Sequence, residues 1–156
     1  MRKKKAPKRF VQPDPKFGEV LVTQFVNRLM WEGRKATAYN VFYDAIALVE
    51  ERTKENGLEV WRKALQTVGP SVEVKTKRIG GANFQIPIEV RGDRKISIAI
   101  KWIITYSRDR NGKSMADKLA SEIVAASKGE GASFKKKEDT HRMAEANKAF
   151  AHFSKF

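Results

Sequence analysis

A chain of 156 residues suits one domain around one core, and its formal charge of +14, from 32 basic and 18 acidic side chains, asks for a polyanionic partner. With no Cys, disulfides and thiolate chemistry are excluded. The longest apolar run, Ile96 to Tyr106, is broken by Lys101 and falls short of the roughly 20 residues a bilayer span takes, so no membrane partner is expected.

Residues 1–18 show no hydrophobic period and contain Pro7, Pro13 and Pro15, which predicts an extended basic tail. It is not followed by the apolar run of a secretory signal. From 19 to 156 a single helical domain is expected. Leu21, Phe25, Leu29 and Val22, Val26, Met30 repeat at four and predict a first helix, stopped at Gly33. A second is expected from about Ala36 to Arg52, with Ala38, Val41, Phe42, Ala45, Ile46 and Val49 on one face, ended by Asn56-Gly57. A third spans Leu58 to Val68, with Trp61, Leu65 and Val68 inward, and stops at Gly69-Pro70.

There the period becomes two. Val72, Val74 and Thr76 alternate with polar residues, as do Phe84, Ile86, Ile88 and Val90, around a loop Gly80-Gly81-Ala82-Asn83. This predicts a β-hairpin over about 72–90 whose tip projects and whose base leans on helices. Pro87 cannot donate to a ladder and marks an edge strand. Residues 94–107 fit either period; length and Asp93 as a candidate N-cap favour a fourth helix. A fifth begins at Ser114 with Asp117 as a capping box, turns Met115, Leu119, Ile123 and Val124 inward, and closes at Gly129. A basic connector, Lys135 to Lys137, leads to a last helix carrying Met143, Ala146 and Phe150. The class is mainly α: six helices with a protruding hairpin between the third and fourth.

The charge is not spread evenly. Residues 1–18 hold seven basic side chains and one acid, 19–71 are balanced, and 72–113 hold ten basic and four acidic. Residues 128–156 carry a further excess of three. A surface charged for solubility alone would intersperse the signs. Arg2, Lys3, Lys4, Lys5, Lys8 and Arg9 form a flexible arm suited to RNA grooves. Lys75, Lys77, Arg78, Arg91, Arg94 and Lys95 lie on the hairpin or at its root, where one face can track a phosphate backbone. Arg108, Arg110 and Lys113 meet the amides at the Ser114 helix start, a ready anion site. Lys135, Lys136, Lys137, Arg142 and Lys148 form the C-terminal set. Clusters at several chain positions suit a folded RNA touched in several places by shape and phosphate contact.

No catalytic constellation appears. Gly80-Gly81 lacks phosphate-loop spacing, no Ser sits in a nucleophile elbow, and His141 and His152 lack a third metal ligand, so neither metal nor cofactor is expected. Asp93 and Asp109 are expected to pair with neighbouring arginines, and Asp117 and Glu122 to be solvated. Trp31, Trp61 and Trp102 fall on apolar stripes and read as core.

Longer motifs narrow the reading. The stretch Lys77-Arg78-Ile79-Gly80-Gly81-Ala82-Asn83-Phe84-Gln85-Ile86-Pro87-Ile88-Glu89-Val90 resembles the hairpin signature of the small-subunit ribosomal protein seven family. His141 to Phe153 (HRMAEANKAFAHF) resembles its C-terminal helix, while Pro13 to Gly18, Gly33-Arg34-Lys35 and Lys113-Ser114-Met115-Ala116 resemble its other motifs. Arg34 stands where Lys is the family residue, and Phe84 where Tyr is. The resemblance implies a bacterial-type, cytoplasmic, non-enzymatic ribosomal protein. It implies primary binding of the 3′ major domain of small-subunit rRNA and nucleation of head assembly. Arg34, Lys35, Ser114 and Met115 join the cations above as rRNA-binding positions. It also implies that the tip, Gly80, Gly81, Ala82 and Asn83, with Arg142 and Lys148, lies near mRNA and exit-site tRNA, beside neighbouring proteins nine and eleven. No small-molecule substrate is implied. The alternative is a DNA-architectural protein using the hairpin as a β-ribbon arm, although such an arm would want its Pro at the tip. An RNA-modifying enzyme is the third reading and lacks a catalytic set.

Overall fold

The computed structural model describes residue 7 and residues 9–155. Among these described residues six α-helices form, α1 (Val20–Leu29), α2 (Lys35–Thr53), α3 (Gly57–Val68), α4 (Gly92–Asp109), α5 (Met115–Ser127) and α6 (Ala132–Ala146). Strands β1 (Val72–Ile79) and β2 (Ala82–Glu89) stand between α3 and α4, as expected, and a 3-10 segment, Lys148–Lys155, follows α6. Backbone contacts sort into two compact units, residues 1–40 and 41–156.

In the first unit, residues 14–18 are turned rather than extended. The Asp14 carboxylate accepts from the amides of Lys16 (3.0 Å) and Phe17 (2.7 Å), and the Gly18 amide donates to the Asp14 carbonyl. Asp side chains commonly bond their own backbone two residues on in this way, and Asp14 is buried. Helix α1 buries Val22, Phe25, Val26 and Leu29 at the expected spacing. It stops at Met30, before Gly33, because Met30 already has extended ψ (138°). The Tyr39 hydroxyl reaches the Thr23 hydroxyl at 3.5 Å.

In the second unit, α3, α4 and α5 pack on one another. Trp61 is fully buried and meets Phe42 of α2 edge-on, ring centroids 5.3 Å apart. Asn56-Gly57 starts α3 rather than ending α2: the Asn56 side chain accepts from the amides of Leu58 and Glu59 as an N-cap. A Cβ on Gly57 would come within 2.6 Å of the Ile46 carbonyl, so glycine lets the two helices meet. The ambiguous segment is helical, as expected, but Arg91 is the N-cap of α4 and Asp93 lies in its first turn. Ser114 caps α5 by accepting from the Asp117 amide at 3.2 Å. The end of α5 is a Schellman motif, with Gly129 at φ 78° and the Gly129 and Glu130 amides donating to Ala126 and Ala125 carbonyls.

Lys135, Lys136 and Lys137 fall inside α6, not in a connector. The buried positions of α6 are Ser133, Thr140 and Ala144, so Met143 and Ala146 face solvent. Phe150 lies beyond α6, in the 3-10 segment.

The hairpin is tighter than expected. Ile79 pairs with Ala82 and Arg78 with Asn83, leaving a two-residue turn, Gly80-Gly81, with φ of 57° and 89°. Two successive positive φ values are what a type I′ turn requires, and glycine supplies them without strain. The register places Phe84, Ile86 and Ile88 opposite Lys77, Lys75 and Glu73, while Val72 and Val74 face Glu89 and Pro87. The two apolar sets therefore lie on opposite faces, and both faces are mixed. α6 and the 3-10 segment pack against the hairpin. Ile86 is buried there, and Phe84 meets Phe150 and Phe153 with centroids at 5.3 and 5.7 Å.

Candidate nucleic-acid interface

The cations singled out in the sequence divide into groups with different surroundings. Arg2, Lys3, Lys4, Lys5 and Lys8 lie outside the described residues; Arg9 is exposed. In the first unit Arg34 and Lys35 are exposed at the start of α2, Arg34 pairing with Glu32 at 2.9 Å and the Lys35 ammonium 5.7 Å from the Tyr39 ring.

On the hairpin, cross-strand pairing separates the expected single basic face. Lys75 and Lys77 share a face with Ile86 and Phe84, and Arg78 shares the other with Asn83. Lys75 and Arg78 are exposed, Lys77 half-buried. At the root, Arg94 in the first turn of α4 grips Glu73 with two bonds, 2.7 and 2.9 Å. Hydrogen bonding and the charge of Glu73 raise the guanidinium pKa. This bidentate fork links β1 to the first turn of α4. Arg91 is exposed beside it.

Lys95 and Lys137 come together at the same root from α4 and α6. The Lys137 ammonium donates to the Thr67 carbonyl at 2.7 Å, a cation at the C-terminal end of α3. Burial lowers its pKa, and the charge of Lys95 lowers it further. Lys95 itself lies over Gly69, where an added Cβ would come within 2.8 Å of its chain. His141, one turn beyond Lys137, accepts from the Ser71 amide through Nε2 at 3.1 Å. Burial, Lys137 and Lys95, in that order, lower the pKa of His141. A cleft of about 420 Å³ opens beside it, lined by Val72, Pro87, Glu89, Glu145, Lys148 and Ala151 among others.

The Ser114 region is already internally paired. Arg110 donates to Glu122 at 2.8 Å, and Glu122 is fully buried rather than solvated. The other Glu122 oxygen accepts from the Ser133 amide (2.9 Å) and hydroxyl (2.6 Å), so this carboxylate satisfies the start of α6. Asp117 is gripped by Arg52, whose hydrogen bond lowers the Asp117 pKa, and Arg52 also reaches the Ser121 hydroxyl at 2.8 Å. Arg108 is half-buried; Lys113 and Ser114 are exposed, and Met115 is half-buried. Lys135, Arg142 and Lys148 are exposed and Lys136 is half-buried. At the tip, Gly80, Gly81, Ala82 and Asn83 are all exposed, and a Cβ at either glycine meets nothing within 4 Å.

Two readings by apolar stripe fail for opposite reasons. Trp31, expected in the core, is 69% exposed, because α1 ends two residues before it. Trp102 is half-buried. Glu122, expected in solvent, sits three residues past Leu119 and next to Ile123, on the stripe itself, and that spacing is the signal for its burial. Asp93 and Asp109 are not the carboxylates that hold Arg94 and Arg110; Glu73 and Glu122 are.

The family model for ribosomal protein S7p/S5e matches residues 1–148. This chain belongs to the ribosomal protein S7p/S5e family. It is similar to proteins named small ribosomal subunit protein uS7 from several bacteria. The relative from Cytophaga hutchinsonii is 61% identical over 153 residues, covering 98% of this chain and 99% of the relative. That from Christiangramia forsetii is 58% identical over 156 residues with the same coverage, and that from Gemmatimonas aurantiaca 54% over 152 residues, 97% of each. An S7p/S5e protein is a structural, RNA-binding component of the ribosome that serves translation and is not an enzyme. As a bacterial-type member it works in the cytoplasm, within the small subunit. Among the described residues no helix is long and apolar enough to cross a membrane.

Proposed function

We propose that this chain is a primary rRNA-binding protein of the 3′ major domain that nucleates assembly of the small-subunit head. The observation that supports this most is the set of exposed cations on and around the hairpin: Lys75 and Arg78 on β1, Arg91 at its root and Lys113 before α5. Exposed charges of one sign repel one another, and a phosphate backbone relieves that repulsion. The other rRNA-facing positions in this reading are Arg9, Arg34, Lys35, Arg108, Ser114, Lys135 and Lys136, with the basic tail before them. The uncharged tip, with Arg142 and Lys148, faces mRNA and exit-site tRNA, and neighbouring proteins nine and eleven complete the surroundings.

The test compares binding of a 3′ major-domain transcript and a 5′-domain transcript of equal length. The expected result is clear preference for the first at ~0.15 M salt, where the Debye length of about 8 Å trims nonspecific attraction. Equal affinity for both would remove the primary-binder assignment. Equal affinity for duplex DNA would restore the architectural alternative.

A further inference from the structure

Trp31 stands in the turn between α1 and α2 with 69% of its surface exposed. Aromatic side chains gain heavily from burial, so an indole this exposed is unusual. The backbone holds it there through a strained turn. Glu32 (φ 52°) and Gly33 (φ 74°) both adopt left-handed conformations, and the Arg34 amide closes the turn on the Trp31 carbonyl at 2.9 Å. The Lys35 amide adds a bond to the Gly33 carbonyl at 2.8 Å. Positive φ is uncommon for a non-glycine residue such as Glu32. The space beside Gly33 is open, since a Cβ there meets no atom within 4 Å.

The flanking charge says what the exposed part of the ring meets at the surface. Residues 28–35 contain three cations, Arg28, Arg34 and Lys35, and one carboxylate, Glu32. The Arg34–Glu32 pair has both side chains more than 70% exposed (72% and 71%), so it is weak, screened by salt and easily exchanged for a stronger anion. A flat π surface beside exposed cations fits a base with a phosphate on either side. We propose that Trp31 is a stacking platform for one unpaired base of RNA, with Arg34 and Lys35 taking the adjacent phosphates. This rests on the RNA-binding reading above and adds to it a single-stranded contact that neither charge nor hairpin geometry supplies.

The test uses the full chain, Trp31→Leu and Trp31→Phe, with the small-subunit rRNA transcript of Cytophaga hutchinsonii as probe. Trp31→Leu should bind roughly 5- to 150-fold more weakly, the range for loss of one stacked base. The slope of log affinity against log salt should not change, because every cation remains. Trp31→Phe should recover most of the affinity, and both variants should melt as the parent does, the ring being exposed. In a second readout, a short oligoadenylate should quench the exposed indole more than an abasic phosphodiester of equal charge. Unchanged affinity in Trp31→Leu, or equal quenching by both oligomers, overturns the proposal. So does intact rRNA binding with loss of a ribosomal protein from pull-downs, which assigns the ring to a protein neighbour. If the parent chain itself fails to bind the transcript, the RNA-binding reading falls and the platform falls with it.

Discussion

Glu122 shows how much one side chain can hold. It is fully buried, paired with Arg110 from the end of α4, and bonded to both the amide and the hydroxyl of Ser133 at the start of α6. One carboxylate thus joins three helices and supplies the N-terminal acceptor that Gly131 cannot. Removing one member of a buried pair costs about 3–5 kcal/mol, since the remaining partners are left unsatisfied; Arg110 is partly exposed, which places this case near the lower bound. Glu122→Ala is expected to lower stability by about 3 kcal/mol in urea melts. A loss under about 1 kcal/mol would mean that solvent reaches the site. His141 gives a second test at this scale. Its pKa is lowered from 6.5 by burial, Lys137 and Lys95, while Glu89, Glu145 and Lys148 line the adjoining cleft. The unfolded chain therefore binds the His141 proton at a higher pH than the folded chain does. Below about 6.5 the unfolded state holds more protons, so stability falls as pH drops through that value. The urea midpoint should fall between pH 7.5 and 5.5, and His141→Gln should flatten that dependence. An identical slope in the variant would assign the effect to other groups.

At the scale of elements, local chemistry is legible in the sequence and long-range partners are not. Ser114 and Gly129 act where the side chain or backbone freedom directs them, because caps and left-handed stops involve neighbours within a few residues; Asn56, read as the stop of α2, instead caps α3. The start of α6 is hard to place because Lys135 to Lys137 look like a solvated connector. Yet one of them reaches the Thr67 carbonyl, 70 residues away, and no local pattern encodes that. The hairpin's existence follows from its period of two, but its register does not. A two-residue turn is hidden in a four-residue run of small side chains, and it puts Phe84 beside Lys77 rather than beside Val74. Phe84, Phe150 and Phe153 then form the contact that seats the 3-10 segment on β2. Phe84→Ala removes two ring pairs, each worth about 0.5–1.5 kcal/mol beyond the area buried. Limited proteolysis should cut residues 148–155 markedly faster in this variant, with little change in helical circular dichroism. Unchanged cleavage would show that the segment is held by other contacts.

At the scale of the molecule, the sequence is clearest about charge, since charge sums without knowledge of geometry. Geometry then decides which cations are available to RNA. Arg94, Arg110 and Lys137 are engaged in bonds that shape the protein, whereas Arg9, Lys75, Arg78, Arg91 and Lys113 are exposed. If about 5–8 phosphates are neutralised, log affinity for rRNA should fall against log salt with a slope of roughly −4 to −7. The first twelve residues hold six of the cations, and the described residues among them place no side chain in the buried core: Pro7, Arg9, Phe10 and Gln12 are exposed, Phe10 by 88%, and Val11 is half-buried. Deleting residues 1–12 should therefore leave the melting temperature within about a degree, as expected for surface changes. It should also flatten the salt slope by about 0.7–0.9 for each phosphate that the tail neutralises. Filter binding at several salt concentrations, run beside thermal melts, separates the outcomes. A lower melting temperature with an unchanged slope would make the tail a structural strap, whereas a flattened slope with an unchanged melt makes it an electrostatic arm.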